Sequence, residues 1–417
     1  RQMVDPFAEA VTPEATLADA VEPTDTMQAA IDEARGEDTP TTNEWGLAPG
    51  FSFLNLRSTD QLIDSIERNE RPTLHYVHVL LPHQPYRLLP SGQAYDDADA
   101  MIARGELLGD GDQVRDAQPA AAAVLQQRFI LQAGYADALL GDVMARLRRT
   151  GLYDDSIVVV VADHGQGLEP GGLIRHPRPE QTDAFPDVLY PPLLIKAPGL
   201  DAGAVSDADA ETIDILPTLA DLLGIDIPWA VDGVSLLGEG HPDDRRTFVI
   251  DDGEAGYFEE VDFRSDDYRG EVLARNVDTL FRADNPRYRL YDITAAGELV
   301  GQRVDQVRVG PRSDWGAVLD EAQRWEAVDP TSDLLPTRLL GHLEGPADES
   351  PTLVAVALDG TIAAVVAPFR TEDQPHRIDA MLVPELVHEG QVDVRLFEVA
   401  GDEAARLLQP IARSSGP

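Results

Sequence analysis

The sequence predicts an α/β domain followed by a small all-β domain, and two observations carry this prediction. Between residues 73 and 223 the chain alternates strand, helix, strand, loop, strand and helix, an order typical of helices packed on a mostly parallel sheet. After residue 339, short apolar segments separated by turn signals such as Asp359-Gly360 indicate a small sandwich. We divide the chain into an acidic linker or lid (1–50), an α/β domain (51–240), a mixed connecting region (241–338) and a β-sandwich-like domain (339–417).

The helices of the α/β domain follow from the spacing of apolar residues. This spacing predicts helices over 60–68, 120–150 and 211–223, with Thr59 as the N-cap of the first and Gly151 as the stop of the second. The apolar face expected for the long helix consists of Leu125, Phe129, Ala133, Ala136 and Leu140.

The strands follow from runs of β-branched and apolar residues. Nearly continuous runs over 73–81, 156–162 and 189–197 are typical of buried strands in a parallel sheet. In the connecting region, 288–293 is a strand candidate and 315–325 a helix candidate. The strands predicted for the β domain cover 353–358, 362–367, 377–382 and 392–399.

Composition excludes several classes of function. With 33 Lys and Arg against 75 Asp and Glu, the net charge of −42 repels phosphate backbones, so a nucleic-acid partner is excluded. The absence of cysteine excludes disulfides, thiolate metal sites and cysteine nucleophiles. No run approaches the roughly 20 apolar residues that span a bilayer.

The strongest chemical signal is Asp163-His164-Gly165, directly after the predicted strand 156–162. Open α/β sheets bind ligands beyond the carboxyl ends of their strands. A carboxylate and an imidazole at that position suit a metal-ligand pair or a general base, and the glycine permits a tight turn. The alternative is that Asp163 caps the next element and His164 is a surface residue.

A second signal is His83, in the sequence Pro82-His83-Gln84-Pro85 after the predicted strand 73–81. At the same sheet edge it can donate to an anionic substrate oxygen, with a plain loop histidine as the alternative. His176 is a weaker candidate for adding positive charge to an anion site.

The remaining histidines are not assigned to chemistry. His75 and His78 are expected to pack in the core, and His376 and His388 are interpreted as structural. Neither His241 nor His342 has a neighbour in the sequence that indicates chemistry.

Several motifs follow one another in order over residues 60–238. They are LHYVHVLLPHQPY, GLYDDSIVVVVADHG, PPLLIKAPG, TIDILPTLADLLGI and VDGVSLL. This order resembles the sulfatase-like branch of the alkaline phosphatase superfamily, and it looks closest to the membrane-anchored sulfatase-domain proteins of actinobacteria. The resemblance implies an alkaline-phosphatase-like fold, hydrolysis or transfer of sulfate and phosphate esters, and a site on the extracytoplasmic face of the cell membrane.

The resemblance also implies roles for individual residues. Asp163 and His164 match paired ligands of a divalent metal ion, which is Ca²⁺, Mg²⁺, Mn²⁺ or Zn²⁺. His83 matches the histidine that contacts the sulfuryl or phosphoryl oxygens, and Asp214 matches a structural position. Membrane association is expected only through segments upstream of this chain.

One part of the family pattern is missing. In the family, an acidic metal ligand ends the first strand and a Thr, Ser or formylglycine nucleophile follows it. Residues 1–60 hold no apolar strand ending in Asp or Glu, and no nucleophile motif surrounds Thr41, Thr42 or Ser52. Because two protein ligands hold a divalent ion weakly, we expect the chain to be the C-terminal part of a larger enzyme rather than a degenerate member.

The predicted function is therefore metal-dependent hydrolysis of a sulfate or phosphate ester, with the nucleophile unidentified. Two alternatives stay open. One is a phosphotransferase that acts on cell-envelope polymers, and the other is a non-catalytic envelope protein that binds a polymer or a partner.

Overall fold

The computed structural model consists of two compact units, Arg1–Arg57 and Ser58–Pro417. The predicted linker or lid over 1–50, the hydroxyl residues Thr41, Thr42 and Ser52, and His176 all lie outside the described residues. The structure describes residues 54–97, 100–101, 104, 118–167, 185–206, 208–238, 241, 245–251, 258–264, 288–291, 294, 296–346, 353–402 and 405–413.

The described α-helices confirm the long helix and shift the boundaries of the others. The first helix begins at Leu54, so Thr59 lies inside it, buried, and the prediction that Thr59 is its N-cap is wrong. The second stops at Arg149, where Gly151 adopts the left-handed conformation (φ 69°) expected of a helix stop. The helices are α1 (Leu54–Ser65), α2 (Pro119–Arg149), α3 (Phe185–Leu189) and α4 (Ile215–Leu223).

The buried face of α2 differs from the predicted one. Arg128 and Gln132 are each 2% exposed, whereas the predicted face of Leu125, Phe129 and Ala133 is half-buried. Hydrogen bonds from Arg128 and Gln132 to the backbone of a neighbouring loop account for this rotation, because buried polar groups need partners.

The prediction of a buried strand over 73–81 is wrong. This segment forms neither a strand nor a helix, and the side chains of Leu74 and Tyr76 are 88% and 83% exposed. A strand requires a neighbour to accept and donate its backbone hydrogen bonds, and no strand of the described residues pairs with this one.

The mixed α/β class is confirmed, but the strand pairing differs from the expected one. The predicted strands at 156–162 and 189–197 form β1 (Val158–Val161) and β2 (Leu193–Lys196), which pair antiparallel rather than parallel. The Lys196 ammonium donates to the Ser156 carbonyl oxygen (2.8 Å) and thereby fastens the end of β2 to the residues before β1.

The connecting region contains more strand than the sequence predicts. The strand candidate at 288–293 is wrong, because residues 288–291 form a turn. The helix candidate at 315–325 is also wrong, because Gly316–Leu319 is a strand and a short 3-10 helix, Ala322–Trp325, follows it. The strands here are β3 (Arg245–Asp251), β4 (Phe258–Arg264), β5 (Arg308–Val309) and β6 (Gly316–Leu319), with β3 and β4 paired antiparallel.

Of the seven strands described after residue 337, four lie where the sequence predicts them, and the strands at 338–344, 407–410 and 412–413 have no predicted counterpart. Asp359 and Gly360, with φ angles of 48° and 79°, form the two-residue turn between the second and third of these strands. The strands are β7 (Arg338–Glu344), β8 (Val354–Leu358), β9 (Thr361–Val366), β10 (Arg377–Met381), β11 (Val394–Ala400), β12 (Leu407–Pro410) and β13 (Ala412–Arg413).

Two sheets share the main hydrophobic core of the described residues. One has the strand order β10-β7-β6-β13 and the other β5-β12-β11-β8-β9. The core also contains Leu89, Tyr95 and Leu131, so a loop and a helix from the N-terminal side of the chain pack into it.

Burial is uneven along the chain. Of the 16 large hydrophobic side chains that are exposed among the described residues, 14 lie between Leu74 and Leu237. The β sheets therefore bury their apolar residues more completely than the α/β part does. None of the helices in the described ranges has the length and apolar character needed to span a membrane.

A buried ionic network joins the loop after residue 81 to the β sheets. Arg338 of β7 makes two parallel hydrogen bonds to Asp379 of β10 (2.9 and 2.6 Å) and a third to Asp96 of the loop (2.7 Å). Arg104 adds a contact of 2.5 Å to Asp96, and Arg324 approaches it within 3.8 Å. Because Asp96, Arg338 and Asp379 are each at most 4% exposed, this network fixes one end of the loop.

Candidate functional site

The Asp163-His164-Gly165 segment directly follows β1, as the sequence predicts. The Asp163 carboxylate accepts a hydrogen bond from the backbone N–H of His164 (2.9 Å) and is 69% exposed, with Oδ2 directed away from that bond. The His164 side chain is 29% exposed, and its Nε2 lies 3.9 Å from Asp163 Oδ2. The two side chains thus present one oxygen and one nitrogen to the same region.

The His164 ring has a defined tautomer. Its Nδ1 lies 2.6 Å from the carbonyl oxygen of Gly165, and since a carbonyl oxygen only accepts, Nδ1 carries the proton. The Nε2 lone pair is therefore free, which is the arrangement that metal-binding histidines show.

These two residues fit part of a metal site. A separation of 3.9 Å is shorter than two metal–ligand bonds of about 2.0–2.2 Å each, so one ion can contact both atoms. Within the described ranges, no group of three or more His, Cys, Asp and Glu could hold a metal ion. The pair could therefore supply two donors to a metal ion, and a complete coordination sphere would require further ligands.

Gly165 allows the close approach of two backbone segments. Its N–H donates to the Val188 carbonyl oxygen (2.8 Å), and a Cβ at this position would lie 1.9 Å from the Asp187 carbonyl oxygen. Glycine is therefore required where the chain leaving β1 contacts the backbone of α3. The sequence suggests a different reason, a tight turn at this position.

We expect Gly165→Ala to lower the free energy of unfolding by about 1–3 kcal/mol, because backbone must move to admit the methyl group. Gly141→Ala is the control, since nothing lies within 4 Å of a Cβ at this helical position. That change should stabilise the protein by about 0.4–1 kcal/mol. Urea unfolding measures the free energy of unfolding of both variants. Equal changes in the two variants would show that the contact between Gly165 and the Asp187 carbonyl oxygen is not tight in solution.

The His83 loop is held from α2. The Gln132 amide donates to the His83 carbonyl oxygen (2.7 Å) and accepts from the backbone N–H groups of Arg87 (3.0 Å) and Leu88 (3.2 Å). The imidazole of His83 is exposed, and its Nδ1 lies 2.8 Å from the Gln84 carbonyl oxygen. His83 therefore has the same tautomer as His164, with Nε2 directed outward.

His83 and Asp163 do not follow two strands that end at the same edge of a parallel sheet, as the sequence predicts, because 73–81 is not a strand and β1 pairs antiparallel with β2. In the part of the chain that the structure describes, no hydrogen bond or ion pair joins His83 to Asp163 or His164. The roles predicted for the three residues stay predictions.

His75 and His78 are exposed, so the expectation that they pack in the core is wrong. The cause is the unpaired state of the segment that carries them. The His75 ring lies near the Ser65 hydroxyl, with Nδ1 3.5 Å from Oγ.

Asp214 and His241 form a pair that sequence reasoning missed. The buried Asp214 carboxylate accepts from the N–H groups of Glu211 (2.7 Å) and Val234 (2.8 Å) and lies 2.8 Å from His241 Nε2. Burial opposes ionisation of this carboxyl, but these hydrogen bonds outweigh it and lower its pKa. The two partners are 27 positions apart in the sequence, which explains why no local motif indicates them.

Two histidines in turns and loops between the C-terminal strands, His376 and His388, each contact another side chain. His388 lies 2.9 Å from the Glu389 carbonyl oxygen and 2.8 Å from Asp359 Oδ2, and these hydrogen bonds raise its pKa. His376 packs edge-on against Trp315, where burial and then the nearby Arg370 lower its pKa.

Comparisons with known proteins agree with the motifs. The sulfatase family model matches residues 32–225, a range that includes His83, Asp163 and His164 and ends before the two large C-terminal sheets. A low-salt glycan biosynthesis sulfotransferase of Haloferax volcanii is 28% identical over 198 residues, which make up 48% of this chain and 44% of the relative.

Two further relatives carry related descriptions. A multifunctional alkaline phosphatase superfamily protein of Trinickia caryophylli is 36% identical over 116 residues, 27% of this chain and 22% of the relative. An ulvan-active sulfatase of Formosa agariphila is 28% identical over 202 residues, 48% of this chain and 37% of the relative. The chain thus spans less than half the length of each of these relatives.

Proposed function

We propose that this chain, whose residues 32–225 match the sulfatase-like branch of the alkaline phosphatase superfamily, contributes to a metal-dependent site that cleaves a sulfate ester. The observation that carries the proposal is the geometry after β1. Asp163 and His164 present Oδ2 and Nε2 3.9 Å apart, with the second ring nitrogen of His164 occupied by a carbonyl oxygen.

In this proposal Asp163 and His164 hold a divalent cation together with ligands from elsewhere. A bound divalent cation supplies Lewis-acid polarisation of the ester oxygens. The protein's own contribution is to hold the two donor atoms in place. The backbone N–H of His164 donates a hydrogen bond to Asp163 Oδ1, so Asp163 Oδ2 is the oxygen left for the cation.

His83 is proposed to contact the sulfuryl oxygens. When its ring is protonated, Nε2–H is available to an anion because Nδ1–H already donates to the Gln84 carbonyl oxygen. A positive donor at an exposed position suits the charge that develops on the transferred group. His176, beyond the described residues, is kept as a weaker proposal for the same anion.

The family match supports a sulfate ester as the substrate, and phosphate esters are the alternative that the same site chemistry accepts. The location on the outer face of the cell membrane belongs to the proposal and is supported by the motif resemblance alone. The same assay, run with an aryl sulfate and with an aryl phosphodiester, separates a sulfatase from a phosphotransferase-like activity.

The test is calorimetric titration of the full chain with Mn²⁺ and Ca²⁺, combined with hydrolysis of an aryl sulfate. We expect Asp163→Asn to weaken binding of one equivalent of cation by at least about tenfold and to lower hydrolysis in proportion. Asp155→Asn is the control, because Asp155 is an exposed carboxylate before β1 whose described ion pair is with Arg68.

The control is needed because a chain of net charge −42 attracts cations without any built site. Equal weakening in the Asp155 and Asp163 variants would show that the cation binds only to the general acidic surface, and the proposed site would be rejected. A second outcome is that Asp163→Asn loses cation binding but the wild-type chain hydrolyses no ester. This result would support the metal site and reject catalytic activity of this chain alone.

A further inference from the structure

The geometry points to Gln132 as a positioning residue that fixes the orientation of the His83 imidazole. Gln132 lies on α2 and is 2% exposed. Both ends of its amide are used by the His83 loop, with Nε2 on the His83 carbonyl oxygen and Oε1 on two backbone N–H groups. This inference rests on the proposed role of His83.

The Gln132 bond acts on the peptide unit that orients the ring. The carbonyl held by Gln132 belongs to the peptide between His83 and Gln84, and the next carbonyl, that of Gln84, accepts from His83 Nδ1. Rotation of the first peptide would carry the second carbonyl away from the ring. Gln132 therefore controls both the tautomer and the direction of Nε2 without touching the imidazole.

A second residue on the same helix strengthens the anchor. Arg128, one turn before Gln132, donates to the Tyr86 carbonyl oxygen through Nε (3.3 Å) and Nη2 (3.0 Å). Tyr95 donates its hydroxyl to the same oxygen, and burial raises the pKa of Tyr95, so this hydroxyl keeps its proton. The loop is thus held at His83, Tyr86, Arg87 and Leu88 by rigid, buried groups.

The His83 imidazole and the groups that hold its backbone differ in solvent exposure, as expected if those groups position the imidazole. The imidazole of His83 faces solvent, whereas the groups that hold its backbone are nearly inaccessible. An amide is required here because one side chain must donate to a carbonyl and accept from N–H groups at the same time.

The test is Gln132→Glu, which keeps an oxygen for the Arg87 and Leu88 N–H groups and loses the donor to His83. We expect the ring ¹⁵N and ¹³C resonances of His83, assigned with His83→Ala, to shift toward a mixture of tautomers. With an aryl sulfate as substrate, kcat should fall by about tenfold to a hundredfold, and KM should change less.

Gln127→Glu is the matched control. Gln127 lies on the same helix, is 3% exposed and donates Nε2 to a backbone carbonyl, that of Leu290 (2.9 Å), which is outside the His83 loop. This variant should lose stability to a similar degree and leave the His83 resonances and kcat unchanged. Unchanged His83 resonances in folded Gln132→Glu would overturn the inference.

A double variant separates positioning from general damage. If Gln132 acts through His83, Gln132→Glu should cause no further loss of kcat in a His83→Ala background, because the group it orients is gone. A further loss of equal size would overturn the inference. If the wild-type chain hydrolyses no ester and the His83 resonances still shift, activity of this chain alone is rejected and the positioning role of Gln132 stands.

Discussion

Replacement of Arg338 by methionine is expected to lower the free energy of unfolding by about 3–5 kcal/mol. The reason is that Arg338 contacts both Asp96 and Asp379, which are 1% and 2% exposed. Methionine fills much of the same volume but leaves Asp379 without the two hydrogen bonds that compensate its burial. The loss therefore comes mainly from a buried carboxylate and not from packing.

Guanidinium chloride unfolding of the full chain measures this effect, and Arg395→Met is its control. Arg395 lies on β11 and pairs with Asp393 at 3.0 Å, with about half of each side chain exposed (53% and 59%). An exposed pair contributes at most about 1 kcal/mol, so the same change of residue type should have a small effect there.

A double variant tests the physical reason. Adding Asp379→Leu to Arg338→Met removes the buried charge and should recover part of the lost stability, since Asp96 keeps its contacts with Arg104 and Arg324. If the double variant is less stable than Arg338→Met, the packing around these side chains, and not the buried carboxylate, accounts for the loss of stability.

The second large effect is expected at His83. His83→Ala should lower kcat for an aryl sulfate by about 10²–10³, the loss typical of removing one donor to a developing negative charge. Where turnover is below detection, calorimetric titration with inorganic sulfate gives the same comparison. Loss of a hydrogen bond to a charged group, about 1.5–3 kcal/mol, weakens binding by roughly tenfold to a hundredfold.

His78→Ala is the matched control for His83→Ala. Both histidines are exposed and lie five residues apart, but His78 belongs to the unpaired segment 73–81 and not to the loop held by Gln132. Neither change should alter thermal stability much. Full activity of His83→Ala would remove this residue from the proposed site and leave Asp163 and His164 unaffected.

Much of the fold could be predicted because it depends on local sequence. The long helix α2, the stop at Gly151 and the turn at Asp359-Gly360 are encoded by apolar spacing and by residues that tolerate positive φ. The strands β8, β9, β10 and β11 follow from short β-branched runs between turn signals, and they lie where predicted.

The errors concern features that depend on distant partners. An apolar run such as 73–81 has strand character, but pairing decides whether it becomes a strand. The segment at 315–319 buries Trp315 and Ala317, an alternation typical of a strand, and β7 supplies its partner.

The candidate site was predictable in part for the same reason. Asp163 and His164 are adjacent, so their proximity needs no tertiary information. Gln132 contacts a loop 49 residues earlier, yet the sequence carries a signal for it. Arg128 and Gln132 are four residues apart on one face of the helix, next to apolar residues such as Val124 and Leu131, and this pattern indicates buried polar groups with backbone partners.

The shared core has a consequence for how this architecture can change in evolution. Asp96 and Tyr95 come from the loop that carries His83, yet they are buried against residues of the β sheets. Exchange or deletion of the sheets would uncover Tyr95 and leave Asp96 without Arg338. The C-terminal sheets are therefore not an independent domain that recombination could exchange alone. Recombination would have to transfer the loop and the sheets together, and the residues that hold the His83 loop would be transferred with them.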